Sequence, residues 1–311
     1  MKPKFTHLQK VFWRKEGYTK GDVIRYYDRV APFILPYLRN RPLVMVRHPN
    51  GIGGMSFFQK DSSSLHLPPF VDTVSIRAKS TGKRVRYIVC NNKATLLYLA
   101  NLGCIEMHPW LSQTKRLDRP DFMVIDLDPG RNTFAEVIAV ARRIHKLVVV
   151  AGLRSFVKTS GKTGLHVCIP LAGRYEFEWV RAVARKLAKR INAEMPKLTS
   201  LAQRSAYRRN RIYLDYARNS IGQTIVAPYS LRAARGATVS TPLPWPELRT
   251  SVRPGRYTIR SIFRRLGHGD AWHGGFRSGV SMKRLERWLD RTSPTLKAKR
   301  KSRPQRRTEH R

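Results

Sequence analysis

Between residues 121 and 218 the chain switches between two hydrophobic periods in an order that few folds can accommodate. "FMVIDLD" repeats every two residues, with Phe122, Val124, Asp126 and Asp128 on one face and Met123, Ile125 and Leu127 on the other, as a strand requires. "TFAEVIAVARRIHKL" opens on a Thr133/Glu136 capping box and sets Phe134, Val137, Ile138, Ala141 and Ile144 at helical spacing. "LRSFVKTS" and "LHVCIP" read as strands joined by a glycine hairpin, "GKTG". "WVRAVARKLAKRI" is a helix with Val180, Val183, Leu187 and Ile191 inward and Arg181, Arg185, Lys189 and Arg190 outward. "RIYLDY" supplies the last strand. The order βαββαβ is a split βαβ, ferredoxin-like unit, and the fold class is α+β. In such a unit the fourth strand lies beside the first and the third lies on the first strand's other side. Asp215 and His166 are therefore both expected to approach Asp126 and Asp128.

That convergence of carboxylates stands out in a chain with 61 Lys plus Arg against 20 Asp plus Glu, a formal charge of +41. Such a balance belongs to a binder of polyanions, although by itself it suits a ribosomal or chromatin-type protein or an anionic membrane surface equally well. With 41% hydrophobic and 10% aromatic residues the chain can build a core, which excludes a wholly disordered basic protein. Cys90, Cys104 and Cys168 are odd in number and far apart, arguing against a disulfide framework or a zinc cluster and for a reducing, cytoplasmic, nucleoid-associated setting. "MKPKFTHLQKVFWRKEG" lacks a signal-like apolar segment, and "LVVVAGL" falls far short of the roughly 20 apolar residues of a membrane helix, so neither classical secretion nor a membrane is expected. Residues 291–311, with nine Lys or Arg and one Glu, read as a basic disordered tail.

Clustered carboxylates repel one another unless a cation neutralises them. Two hard divalent ions, Mg²⁺ or Mn²⁺, about 3.5 to 4 Å apart would do so and would suit phosphoryl transfer; "DLDPG" equally fits a strand end that organises a turn. "TSGKTGLH" is not a Walker A loop, because Phe156 stands where the first glycine is needed and a strand follows instead of a helix. Its Gly161/Gly164 turn can still offer amides to a phosphate, beside Lys158, Ser160 and His166. An ordinary hairpin reads the same way. Arg208, Arg209, Arg211 and Arg232 flank Asp215 and suit triphosphate oxygens, as they suit plain solvation. In "FFQK", Phe57 and Phe58 fit base stacking or a core.

Taken in order, "TKGDVIRYYDRVAPFILPYLRNRPL", "GMSFFQK", "YLANLGCIEMHPWLS", "RPDFMVIDLDPG", "FVKTSGKTGLHVCIPL", "RIYLDYARNSIGQTIVAPYSLR" and "GATVSTPLPWPEL" resemble the primase-polymerase domain of bacterial ligase D, in the archaeo-eukaryotic primase superfamily, over roughly residues 6–266. The resemblance implies a primase-polymerase domain over 1–290, with an N-terminal α/β lobe to about residue 110 packed on a βαββαβ catalytic unit spanning about 120–250. It implies that Asp126, Asp128 and Asp215 hold two Mn²⁺ or Mg²⁺ ions and that His108 is required for nucleotide addition. Ser160, Lys158, His166, Arg208 and Arg232 would hold the incoming NTP or dNTP. Phe57 and Phe58 would stack on the template, and Lys10 and Lys20 would seize the 5′-phosphate of a gap. Where the family often reads RARPG after "PYS", this chain has Ala234 in place of a second arginine. The implied role is template-directed addition to 3′ ends at breaks, overhangs and 5′-phosphorylated gaps in non-homologous end joining, with Ku and a separate DNA ligase as partners. A replicative or plasmid-type primase and a non-catalytic end-bridging protein are the alternatives.

Overall fold

The computed structural model describes residues 3–78, 81–275, 279 and 281–291; the basic tail beyond 291 lies outside them. The chain opens with a short hairpin, β1 (Val11–Trp13) and β2 (Tyr18–Thr19), which leads into helix α1 (Lys20–Leu38). Thr19 and Asp22 form a reciprocal capping box at its start, satisfying two amides that the first turn cannot. A first sheet follows, from β3 (Pro42–Arg47), β4 (Phe57–Gln59), β5 (Asp72–Arg77) and β6 (Arg84–Val89). Helix α2 (Lys93–Asn101) packs on α1 and delivers β7 (Cys104–Pro109) to the edge of β3.

The second half carries the expected unit: β8 (Phe122–Asp128), α3 (Phe134–Val150), β9 (Phe156–Thr159), β10 (Leu165–Pro170), α4 (Phe177–Glu194), β11 (Thr199–Ser200) and β12 (Ile212–Asp215). Its sheet runs β11-β12-β8-β10-β9 and is closed at the far edge by β13 (Pro242–Leu243). Strand β8 therefore lies between the third and fourth strands of the unit, as the βαββαβ order demands. The Thr133/Glu136 capping box forms, and the apolar faces of α3 and α4 are buried against one side of the sheet with Met123, Ile125 and Leu127. The opposite side of the sheet is left to face the N-terminal half.

Element ends differ from the sequence reading for identifiable reasons. Helix α3 runs on to Val150, because Val148 still reaches the core, and stops where Gly152 takes φ +71. Strand β9 begins only at Phe156, since Ser155 is committed elsewhere: its hydroxyl pairs with His145 and its carbonyl accepts from Trp245 Nε1.

A strap over residues 225–241 ties the halves together. Ala227 N donates to Met107 O, Met107 N to Ser230 Oγ, and Tyr26 OH to Tyr229 O. Buried Arg41, just before β3, pairs with buried Asp121, just before β8. One continuous buried core extends from Phe12 to Leu289, completed by α5 (Ile262–Leu266) and α6 (Met282–Arg291).

Candidate active site

Register decides what the free sheet face presents. Asp126 is the Cα partner of Asp215 on one side and of His166 on the other, and His166 is in turn paired with Lys158. Because side chains alternate across a strand, these four project from one row across β12, β8, β10 and β9. Asp128 stands two residues further along β8, on the same face.

The row is strongly polarised. Asp126 Oδ1 lies 3.2 Å from His166 Nε2. Burial opposes ionisation of Asp126, yet the His166 contact and the charges of Arg218 and Lys158 outweigh it and keep the carboxyl below its ordinary pKa. His166 is driven down to about 4 by burial and by the Lys158 charge, so at neutral pH it is an uncharged imidazole donating its Nε2–H to Asp126. Its Nδ1 is buried and has no hydrogen-bond partner. Asp128 is raised to about 6 by burial and by the neighbouring Asp126 and Asp215 charges. Burial and the Asp126 charge also raise Asp215. Fully buried Lys158 falls to about 7, from burial and then the nearby Arg232 charge, and donates to Ser240 Oγ at 2.6 Å.

Three carboxylates therefore compete for positive charge at one place, and part of it comes from Arg218, whose Nε lies 3.1 Å from Asp215 Oδ2 and 3.5 Å from Asp126 Oδ2. Among the described residues no three His, Cys, Asp or Glu side chains already surround a common point as a finished metal cage. The donor set nevertheless fits a hard divalent ion: carboxylate oxygens only, with the Asp128 and Asp215 carboxyls raised by burial and by neighbouring carboxylate charge, and a guanidinium already bridging Asp126 and Asp215. Arg218 escaped the sequence reading; a cation three residues after Asp215 was the available signal.

The hairpin between β9 and β10 is tighter than its sequence suggested. Ser160 Oγ accepts from Lys162 N and Gly164 N, so two of the amides expected to face a phosphate are already engaged within the loop. Glycine is obligatory at Gly164, where an added Cβ would meet Leu127 O at 2.1 Å.

Arg232 reaches the same loop from the strap, donating to Ser160 O at 2.9 Å. His108 arrives from β7 and packs edge-on against Phe58, with ring centroids 6.2 Å apart. Phe58 is 70% exposed and Phe57 37%, so neither is core. Arg208 lies over the Tyr213 ring, 4.0 Å from its centroid, and donates to the carbonyls of Ala202 and Gln203. Its charge is felt by Asp128. Lys10 and Lys20, ten residues apart, are brought together: Lys20 N donates to Lys10 O, and burial followed by the Lys10 charge lowers the Lys20 pKa.

The sequence reading also missed Glu106. This 4%-exposed carboxylate accepts from Ala233 N and lies 3.1 Å from His108 Nε2, 3.1 Å from Lys162 Nζ and 3.2 Å from Arg232 Nε. Burial would raise its pKa, but the His108 hydrogen bond and the charges of Arg232 and Lys162 hold it well below the carboxylate range. Strand alternation in "IEMHP" already put it on the His108 face, the same signal that singled out the two aspartates of β8. Glu106→Gln should cost about 3 kcal/mol of stability, the scale of breaking a buried charge pair. It should also free Arg232 and His108, which lose their common anchor. Urea unfolding checks the stability cost, and an unchanged midpoint would make Glu106 a bystander.

The family model described as "LigD, primase-polymerase domain" matches residues 19–272. A bifunctional non-homologous end joining protein LigD of Bacillus subtilis is 34% identical over 268 residues, covering 85% of this chain and 42% of that protein. The multifunctional LigD of Pseudomonas aeruginosa is 32% identical over 284 residues, 89% of this chain and 34% of its own length. The chain thus spans less than half the length of these relatives. A solved polymerase domain of Mycobacterium tuberculosis ligase D, in complex with DNA, superposes with a TM-score of 0.82 at 26% identity, covering 90% of this chain and 99% of that one.

Proposed function

This chain belongs to the LigD primase-polymerase family, and from that premise we propose that it is a divalent-metal-dependent nucleotidyltransferase that extends a templated 3′-hydroxyl with nucleoside triphosphates, ribonucleotides included. Its setting is the filling of gaps and overhangs at DNA double-strand breaks during non-homologous end joining, in the cytoplasm, with Ku and a separate DNA ligase as partners. The observation that carries this reading is the single row Asp215–Asp126–His166–Lys158, with two carboxylates at one end, Asp128 on the same face of β8, and the cations of the hairpin at the other end.

Asp126, Asp128 and Asp215 would hold the metal ions, which when bound supply positive charge to the reacting oxygens. The remaining work falls to the chain. His166 Nε2–H fixes the orientation of Asp126. Arg232 and Lys162, gathered by Glu106, present cations to the triphosphate, with Ser160 holding the loop shape and Lys158 adding charge from beneath. His108 stands beside Phe58, which would stack on the template, and the Arg208 charge favours the ionised form of Asp128. Lys10 and Lys20 form a separate cationic pair for the 5′-phosphate across the gap.

Extension of a primer facing a one-nucleotide gap, compared with initiation on an unprimed template at equal salt, tests the reading. Strong gap extension with no de novo initiation is the expected result. Priming without gap preference would make the chain a primase, and binding without either would make it an end-bridging protein. In the same assay Lys10→Ala/Lys20→Ala should weaken binding to a 5′-phosphorylated gap by about tenfold and barely affect a 5′-hydroxyl gap; equal losses would reduce the pair to generic phosphate contacts.

A further inference from the structure

A second cationic concavity lies outside the row of carboxylates. It is a cleft of about 870 Å³, between the turn at Trp245–Glu247, the turn at Pro254–Arg256 and helix α5. Its floor is built: Val252 and Tyr257 are buried, and buried Arg265 is paired with Glu247 at 2.9 Å. That pair uses Glu247, the cleft's carboxylate. Arg249, Arg256, Arg260 and Arg264 line the rim, are exposed, and form no ion pair among the described residues. Four uncompensated guanidiniums around one hollow repel each other, and that repulsion is relieved by an anion with several charges spaced along it.

The cleft adjoins a smaller groove along the first turns of α1 through Arg260. Arg260 lies over the Tyr18 ring, 5.1 Å from its centroid, and lines both the cleft and that groove, with Arg25 and Arg29. Tyr18 is two residues before Lys20, and Arg29 lies over Phe263 of α5 at 3.7 Å. The arginines of the cleft and the groove thus lie beside the element that begins at Lys20.

We propose that this cleft binds the sugar–phosphate backbone of the duplex downstream of the gap, several phosphates beyond the end that Lys10 and Lys20 hold. The inference rests on the gap-binding reading. Contacts of this kind position the duplex without reading its bases, so they add affinity and salt dependence and no sequence preference.

Fluorescence anisotropy on gapped DNA with a downstream arm of half a helical turn or of two turns, without nucleotide, tests it. The wild-type protein should bind the long arm more tightly. Arg256→Ala/Arg260→Ala/Arg264→Ala should lose about tenfold on the long arm and little on the short one, with the slope of log K against log salt reduced by roughly 2 to 3 on the long arm, near 0.9 per phosphate contact. Arg181→Ala/Arg185→Ala/Lys189→Ala removes equal charge from the exposed face of α4 and should keep the arm-length difference. Retention of that difference by the cleft variant, or equal loss on both arms, would overturn the proposal. A wild type without arm-length dependence would overturn it too. Failure of the gap-filling reading shows separately, as absent primer extension by a protein whose anisotropy is normal.

Discussion

Asp126→Asn is expected to lower nucleotide addition by at least about 10³-fold, the scale of removing several kcal/mol of metal-borne charge stabilisation, while affinity for gapped DNA stays close to the wild type. Position explains the size of the effect. Asp126 is the one carboxylate flanked in register by both Asp215 and His166, and its two oxygens are divided between His166 and Arg218. The amide keeps the volume and still accepts from His166 Nε2–H, so the fold should survive, whereas the negative charge that would hold a cation is gone. Affinity for DNA draws on a +41 chain and is spread over many contacts, so one site charge hardly matters to it. Primer extension, anisotropy and Mn²⁺ binding followed by electron paramagnetic resonance on one preparation check this. Near wild-type extension, or undiminished Mn²⁺ binding, would sink the assignment of Asp126 as a metal ligand.

His166→Ala should lower kcat/KM by on the order of 10²-fold with little change in melting temperature, a loss typical of one well-placed donor. Substitution by the two amides separates what each ring nitrogen does. Glutamine can set an N–H near the position of Nε2, and asparagine near that of Nδ1. Since Nε2 donates to Asp126 and Nδ1 has no partner, His166→Gln should recover part of the lost activity and His166→Asn should not. Rescue by asparagine instead would assign the function to Nδ1 and to a direct substrate contact. A fall in melting temperature with the rate per folded molecule intact would make His166 a packing residue of β10.

Most of the second sheet was legible because its signals are local and periodic. Capping boxes, the two-residue alternation of "FMVIDLD" and the apolar faces of α3 and α4 each report on their own neighbourhood. What escaped involves partners distant in sequence. Glu106 matters only because Arg232 comes to it along the strap and Lys162 along a hairpin, and no window of sequence holds all three. The Gly161–Gly164 turn was identified, but not that Ser160 would absorb two of its amides, since hydroxyl direction depends on backbone geometry. Arg208, which the family resemblance assigns to the nucleotide phosphates, lies over the Tyr213 ring, a partner no local pattern announces.

From sequence alone come the order of elements, the facing of Asp126 and Asp128, and hence the convergence of Asp215 and His166 on them, because strand order in a βαββαβ unit follows from connection geometry and alternation follows from the pleat. Only the tertiary structure sets the charges those groups carry. The uncharged state of His166, the raised pKa of Asp128 and the lowered pKa of Lys158 arise from removing ionisable groups from water and crowding them across strands. Desolvation and charge–charge distance have no representation along the chain, and exist only once residues as far apart as 106, 126, 158, 215 and 232 share one buried surface.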